Sequence, residues 1–523
     1  MNKLILSELT IEQKIGQMLF CRQPIDQEDK DFMIELIRRR SLGGVHIWDP
    51  EKTPVNEFLE AADYPLLIGE NMEYGFEHGA VNFPCPLAIA STNSTETAYE
   101  SARIIAENAR EAGYNIAFGP VMDLAMNPLS SCVGPRSYGE NKELVAGMTA
   151  SVIDGFQEQG VIVTAKHYPG FGESSVDSHL GMVYLTQNEE DLINRELYPY
   201  IENVADLSGI MVGHIMVPKV DPEYPASLSS KLISIIRRLG YKGLLITDSL
   251  AMVGLTNHFG LEECHSLSMK AGNDMLLASY RIPAKQTYSY MLATYKNGLV
   301  SEQQINAAVS RIIEAQNKTL KTCRHDDDVE TLIQKSEKMS EKSIASILTG
   351  VNKAEIPVDK RYLFVVQEAN KFVNPVTNEM EEEKSGLQGI EKLIADNFIN
   401  SDIVKINDFP STSQMEYVVN MTMSYESIVL IVYNKTDHYT GSSDLTKRFL
   451  ALFDAISHKV SAVVSFGNPY AVREYPEVPR IILGYEGGYC EKAAFKVLCG
   501  EIEATGKIPV SINSINKNKE GKK

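Results

Sequence analysis

Along its N-terminal part the chain alternates short apolar runs with longer stretches whose apolar residues recur at helical spacing. The runs fall at 43–48, 65–69, 87–90, 114–119, 161–165, 209–213, 243–247 and 274–278. They lack the strict apolar/polar alternation of a half-solvated strand, as expected for strands buried on both faces of a parallel sheet. Eight such runs joined by helices predict an α/β fold of the TIM-like (β/α)8 barrel type. Ahead of them, Thr10-Ile11-Glu12-Gln13 reads as a capping box opening a helix with Ile11, Ile15, Met18 and Leu19 on one face.

A second α/β series follows. Residues 321–341, with Asp326-Asp327-Asp328, are charged and helix-prone and read as the way out of the barrel. Runs at 362–366, 428–433, 460–465 and 480–483 then predict a smaller parallel sheet sandwiched by helices. The expected organisation is a catalytic barrel over 1–325, a helical linker over 326–355, a C-terminal α/β sandwich domain over 356–515 and a tail over 516–523. Residues 379–384 read as a solvated charged loop, and 484–488 are glycine-rich without forming a P-loop or dinucleotide fingerprint.

Polar residues gather where the barrel runs end: Glu70-Asn71, Asp123, Lys166-His167, His214 and Asp248. A barrel brings the C-terminal ends of its strands together on one face, so these residues converge only if the barrel reading holds. Composition narrows the partners. A net charge of −19 argues against a nucleic-acid groove and against an anionic membrane surface. Residues 1–20 lack the basic start and unbroken apolar core of a signal peptide, and the seven cysteines form no CxxC pair. The expectation is a cytoplasmic protein with reduced thiols, no disulfide framework and no zinc site; a surface lipoprotein is the alternative, but Cys21 lacks a preceding apolar run.

The densest chemistry lies in 166–179, where Lys166, His167, Glu173, Asp177 and His179 crowd one glycine-containing loop after an apolar run. A carboxylate two residues from an imidazole reaches it only if the backbone turns. Taken alone, Asp177-x-His179 is either a loop ion pair or an oriented proton shuttle. Asp248, directly after run 243–247, is either a helix N-cap or a carboxylate aimed into a site.

The stretch Lys166-His167-Tyr168-Pro169-Gly170, followed by Asp177-Ser178-His179, strongly resembles the signature of glycoside hydrolase family 3, in the branch containing bacterial β-N-acetylglucosaminidases. Thr247-Asp248-Ser249-Leu250-Ala251-Met252, Gly134-Pro135-Arg136-Ser137-Tyr138-Gly139 and Gly119-Pro120-Val121-Met122-Asp123 match further segments of that family, and similarity to its closing strands extends to 465–470, 481–483, 500–502 and 506–511. The resemblance implies Asp248 as nucleophile, His179 and Asp177 as the acid/base dyad, and Lys166, His167 and Arg136 as sugar ligands. Asp123 reads equally as a structural cap. Two departures stand out: Phe171 and Glu173-Ser174 replace the usual His and Asp-Thr, and Asn71 stands where the family has a sugar-gripping aspartate. Glu70, one residue back, is the other possible carboxylate there. His214 is read as lining a subsite or as a satisfied core histidine, and Trp48 as a subsite floor or barrel-end packing.

The implied activity is a retaining exo-glycosidase that releases terminal β-linked N-acetylglucosamine from cell-wall or chitin-type fragments, with a small carbohydrate as partner and no metal or organic cofactor. The alternatives are phosphorolysis of the same bond, a glucosidase or xylosidase on the same fold, and a non-catalytic sugar-binding protein.

Overall fold

A computed structural model describes residues 2–321, 327–349, 356–368, 371–373, 380–382, 389–434 and 445–512. These residues form two compact units. One comprises Met1–Ala80, Thr95–Asn127 and Ser137–Val329; the other comprises Val81–Ser94, Pro128–Arg136 and Glu330–Lys523.

The first unit is a barrel of eight parallel strands in sequence order: β1 (Leu19–Arg22), β2 (Gly44–His46), β3 (Leu67–Asn71), β4 (Ile116–Phe118), β5 (Ile162–Tyr168), β6 (Gly209–Val212), β7 (Leu244–Thr247) and β8 (Leu276–Leu277). Strand β8 pairs with β1, and a bridge between Ile246 and Met275 joins the last two strands, closing the ring. The strands are short and almost wholly buried, so their apolar runs carry no alternation even though the backbone alternates. Inside, Phe20 meets Phe118 with ring centroids 5.5 Å apart. Gly69 makes room for them: a Cβ there would lie 2.9 Å from Ile116 and 3.1 Å from the Phe118 ring. Gly69 therefore faces the interior, which puts Asn71 inward as well and turns Glu70 out toward the helix layer.

Two expectations about the strands are corrected. The Thr10 capping box forms as read, with the Gln13 amide donating to Thr10 Oγ1 at 3.2 Å and the Thr10 amide to Gln13 Oε1 at 2.8 Å. The helix stops at Gln17, however, and Met18-Leu19 lead into β1, a strand too short to declare a period of its own. Conversely, run 87–90 is helical, within Pro86–Ser91, where Pro86 occupies the first turn and pre-sets its backbone angle. That segment belongs to the second unit. The number of strands stays at eight because one gain offsets one loss.

The second unit holds a six-stranded sheet: β9 (Ala345–Leu348), β10 (Leu363–Glu368), β11 (Asp402–Asn407), β12 (Ile428–Asn434), β13 (Val460–Gly467) and β14 (Arg480–Tyr485), in the order β9-β14-β13-β12-β10-β11. Only β9 runs antiparallel. Phe364, Val429, Ile431, Val464, Phe466 and Ile482 bury one face with Ile390, Ile394 and Phe495 from the helices Ile390–Asn397 and Cys490–Leu498. Residues of the opposite parity, Leu363, Val365, Leu430 and Val463, are buried too, so both faces are covered. The fold is thus a TIM-type barrel with a separate α/β sandwich. Strands β9 and β11 were not expected; β9 follows the helix Val329–Ser343 within the stretch read as linker. Segments 500–502 and 506–511, expected as closing strands, have no strand structure. Within 379–384, read as a loop, Met380–Glu382 is instead a short strand paired antiparallel with Lys371–Val373. The tail 516–523 and residues 379, 383 and 384 lie outside the described residues.

Candidate active site

Strand β5 ends in the sequence Lys166-His167-Tyr168, all three residues buried. Lys166 is fixed from two sides: its Nζ lies 2.7 Å from Asn71 Oδ1 and 2.6 Å from Glu73 Oε1. Asn71 is therefore the residue of its pair that faces the site, and Glu73, which sequence reading passed over, supplies the carboxylate. Its signal was faint, a carboxylate two positions past Asn71 to which the resemblance gave no role.

His167 Nδ1 lies 2.7 Å from Asp123 Oδ2. Asp123, 1% exposed, also accepts the amides of His167 and of Phe171, the latter at 2.8 Å. A buried carboxylate that collects three N–H groups is a structural anchor, and here it fixes both the ring of His167 and the start of the loop. Phe171, the departure from the family motif, packs edge-on against His167 with centroids 5.0 Å apart. Gly170, at φ 121°, makes the turn that lets the chain leave the strand at this point.

The loop then forms the dyad. His179 Nδ1 lies 2.9 Å from Asp177 Oδ1, and the His179 amide donates to the same oxygen at 2.8 Å. The carbonyl of Asp177 in turn accepts the amides of Leu180 and Gly181, each at 2.9 Å. Asp177 is buried while the His179 ring keeps 23% of its side chain exposed. The carboxylate thus orients the imidazole and the imidazole faces outward, the geometry required of a proton shuttle. Glu173 points elsewhere, to Arg195 and Gln187, each at 2.7 Å.

Asp248 follows β7, its amide bonded to the Val212 carbonyl at 2.8 Å and its Oδ1 accepting the Ser249 amide at 2.6 Å. Burial by itself would raise its pKa. The electrostatic influence of His167 and His214, the Ser249 amide and His179 outweigh that and hold the carboxyl down at about 2. Asp248 is therefore an ionised carboxylate within electrostatic reach of both His167 and His179. The dyad loop is tied to the segment after Asp248, with the Gly254 amide donating to the Ser178 carbonyl at 3.2 Å.

His214 has a different task from sugar binding. Its Nε2 donates to the Ser249 carbonyl and its Nδ1 accepts from Ser227 Oγ, both at 2.8 Å, so neither nitrogen is left for a ligand. Burial lowers its pKa, against Asp248, which raises it. Glu70 is not brought to the site either; its carboxyl faces the other side of β3. Arg136 sits in the short turn Gly134–Arg136 of the second unit, its Nη1 donating to the Cys132 carbonyl at 2.9 Å.

Sequence reading also missed His46, at the end of β2. It is 5% exposed and packs against Phe118 and Trp48, with centroids 5.0 and 5.3 Å away. Burial drives its pKa well down, helped by Arg22 and Lys166. The Arg22 guanidinium covers Trp48 at 4.7 Å and Tyr280 at 5.2 Å, giving the only tryptophan a packed inner face and leaving 37% of it exposed.

Known proteins bear on this geometry as follows. The model of the glycosyl hydrolase family 3 N-terminal domain matches residues 10–315. A Cellulomonas fimi protein named beta-N-acetylglucosaminidase/beta-glucosidase is 30% identical over 329 residues, 59% of this chain and 57% of that protein. The chain therefore spans little more than half the length of that relative. A beta-hexosaminidase of Idiomarina loihiensis is 29% identical over 233 residues, 43% of this chain and 70% of that protein. Among solved structures, a glycoside hydrolase family 3 beta-N-acetylglucosaminidase from Paenibacillus sp. str. FPU-7 superposes with a TM-score of 0.83 at 26% identity, covering 97% of this chain and 99% of that one. With more than half of the chain matched by the family model, on a barrel that carries a histidine–carboxylate dyad and an ionised aspartate at its strand ends, the chain belongs to glycosyl hydrolase family 3.

Proposed function

We propose that the chain is a retaining exo-glycosidase that releases terminal β-linked N-acetylglucosamine, with Asp248 as nucleophile and His179, held by Asp177, as acid/base. The observation that carries this reading is the pairing of an ionised carboxylate after β7 with an oriented, outward-facing imidazole on the loop after β5. Asp248, unprotonated at any working pH, attacks the anomeric carbon while His179 delivers a proton to the departing oxygen. Neutral His179 then deprotonates the water that releases the sugar, so two inversions give net retention. Lys166, steadied by Asn71 and Glu73, and His167, steadied by Asp123, hold the sugar hydroxyls; Arg136 is proposed as a further sugar ligand on the family resemblance alone. The names of the Cellulomonas, Idiomarina and Paenibacillus proteins support the choice of N-acetylglucosamine. Cell-wall fragments as the natural source and a cytoplasmic home, in keeping with the absence of a disulfide among the six described cysteines, complete the proposal.

Phosphorolysis stays a second reading, because an imidazole in place of an acid/base carboxylate removes one negative charge from the path of an incoming phosphate. Proton NMR of an aryl β-N-acetylglucosaminide during turnover tests both readings. The β-anomer of the free sugar, formed first and unchanged by phosphate, supports hydrolysis with retention. Sugar-1-phosphate in phosphate buffer would replace hydrolysis by transfer to phosphate, and the α-anomer formed first would remove Asp248 as nucleophile.

A further inference from the structure

Behind the sugar-facing side of β3, three side chains and a main-chain oxygen meet in an arrangement the glycosidase chemistry does not use. Glu70 is 4% exposed, and its Oε2 is buried with no hydrogen-bond partner among the described residues. Its Oε1 faces His78 Nε2 at 3.8 Å, too far for a hydrogen bond. The same His78 nitrogen donates a hydrogen bond to the carbonyl oxygen of Trp48 at 3.2 Å, a bond that a metal ion held between the two atoms would replace. Donor atoms of Glu70, Glu77 and His78 all lie within 4.8 Å of one another. A buried carboxylate with an unsatisfied oxygen is costly, and a second carboxylate beside it adds repulsion. A cation between them relieves both.

We infer that Glu70, Glu77, His78 and the Trp48 carbonyl oxygen form a binding site for a divalent transition-metal ion, with Zn2+ as the best match. Ligands held ~2.0–2.1 Å from a tetrahedral zinc stand roughly 3.3–3.4 Å from one another. The separations of 3.2 Å and 3.8 Å bracket that edge, and the exposed Glu77 side chain is free to swing in. One imidazole nitrogen with three oxygens selects against Mg2+ and Ca2+, which favour oxygen alone. One wall is aromatic: Phe76 packs edge-on against His78 at 5.6 Å and against Tyr114 at 5.0 Å. Sequence reading implied no metal because the donors have no recognisable spacing and one is a backbone oxygen, that of Trp48, two residues past β2.

The placement gives the ion a role. Glu70 stands just before Asn71, and Glu77 and His78 just after Phe76, so the ion staples both ends of the segment that presents Asn71 and Glu73 to Lys166. It is a positioning device for that segment and touches no sugar.

Metal binding is measured on the whole chain, stripped with a chelator and desalted, by calorimetric titration with ZnCl2 and elemental analysis after gel filtration. One Zn2+ per chain is expected, undisturbed by excess Mg2+. His78→Ala and Glu77→Gln, both at exposed positions, should each weaken binding by about tenfold or more. Amide exchange of residues 71–76 should slow on zinc addition in the wild type and not in His78→Ala. No zinc binding at sub-millimolar concentration, or equal affinity in wild type and both variants, which would move the metal to the cysteines, overturns the site. Unchanged exchange with zinc bound overturns the staple. None of these readouts needs substrate, so the result stands apart from the glycosidase assignment.

Discussion

At Asp248 two opposing effects meet, and their balance decides the chemistry. Burial favours the neutral acid, while the surrounding imidazoles and one backbone amide favour the anion and prevail, leaving the carboxyl ionised down to about pH 2. Its folded pKa lies below the ordinary carboxylate value, so the stabilisation it contributes is present above that value and is lost as pH falls through about 2. The dyad makes a separate prediction. His179→Ala should lower kcat/KM by roughly 10²–10⁴-fold on aryl glycosides with poor leaving groups. A dinitrophenyl leaving group, which departs without a proton, should recover most of that loss, whereas an equal loss on both substrates would make His179 a binding residue. The Asp177–His179 pair was legible in sequence because only a turn separates its members. Glu73 was not, because its partner Lys166 is 93 residues away and only the barrel brings them together.

Among elements, the contact that matters most is between the dyad loop and the short helix Val253–Thr256. A Cβ on Gly254 would lie 2.5 Å from the Gly181 carbonyl oxygen and 2.7 Å from that of Ser178, on either side of His179. Gly254→Ala gains about 1 kcal/mol of helix propensity but forces an overlap costing about 1–3 kcal/mol. The overlap is with backbone and has no easy relief, so the loop should shift. Reduced kcat with a near-normal melting temperature is the expected result, read by steady-state kinetics beside calorimetry; unchanged kcat would show that the loop holds its place without this contact. The element pattern was readable wherever a buried run was long enough, as in β5, β12 and β13. It failed where length gave no signal. Strand β1 was absorbed into the preceding helix, and the helix Pro86–Ser91 was taken for a strand because an all-apolar stretch of its length carries no period.

For the whole molecule, three of the buried histidines bear on the response to acid. His46, His214 and His265 all have pKa values lowered chiefly by burial. The folded state therefore binds fewer protons than the unfolded chain, and stability is complete above the ordinary imidazole value of ~6.5 and falls as pH drops below it. Glu70, pushed up to about 8 by burial and by Glu77, acts in the opposite sense but is a single group. The melting temperature of metal-free protein should be lower at about pH 5.5 than at about pH 7.5, and His265→Asn, remote from the dyad, should shrink the difference. An equal or higher melting temperature in acid would contradict it. The central claim is that a barrel of this family hydrolyses β-N-acetylglucosaminides through Asp248. Its most direct test is the rate of aryl β-N-acetylglucosaminide hydrolysis, beside the β-glucoside and β-xyloside, by wild type and Asp248→Asn. Turnover of the first substrate alone, falling on the order of 10³-fold or more in the variant, is the result predicted. Turnover that survives in Asp248→Asn, or silence of the wild type on all three, would contradict it.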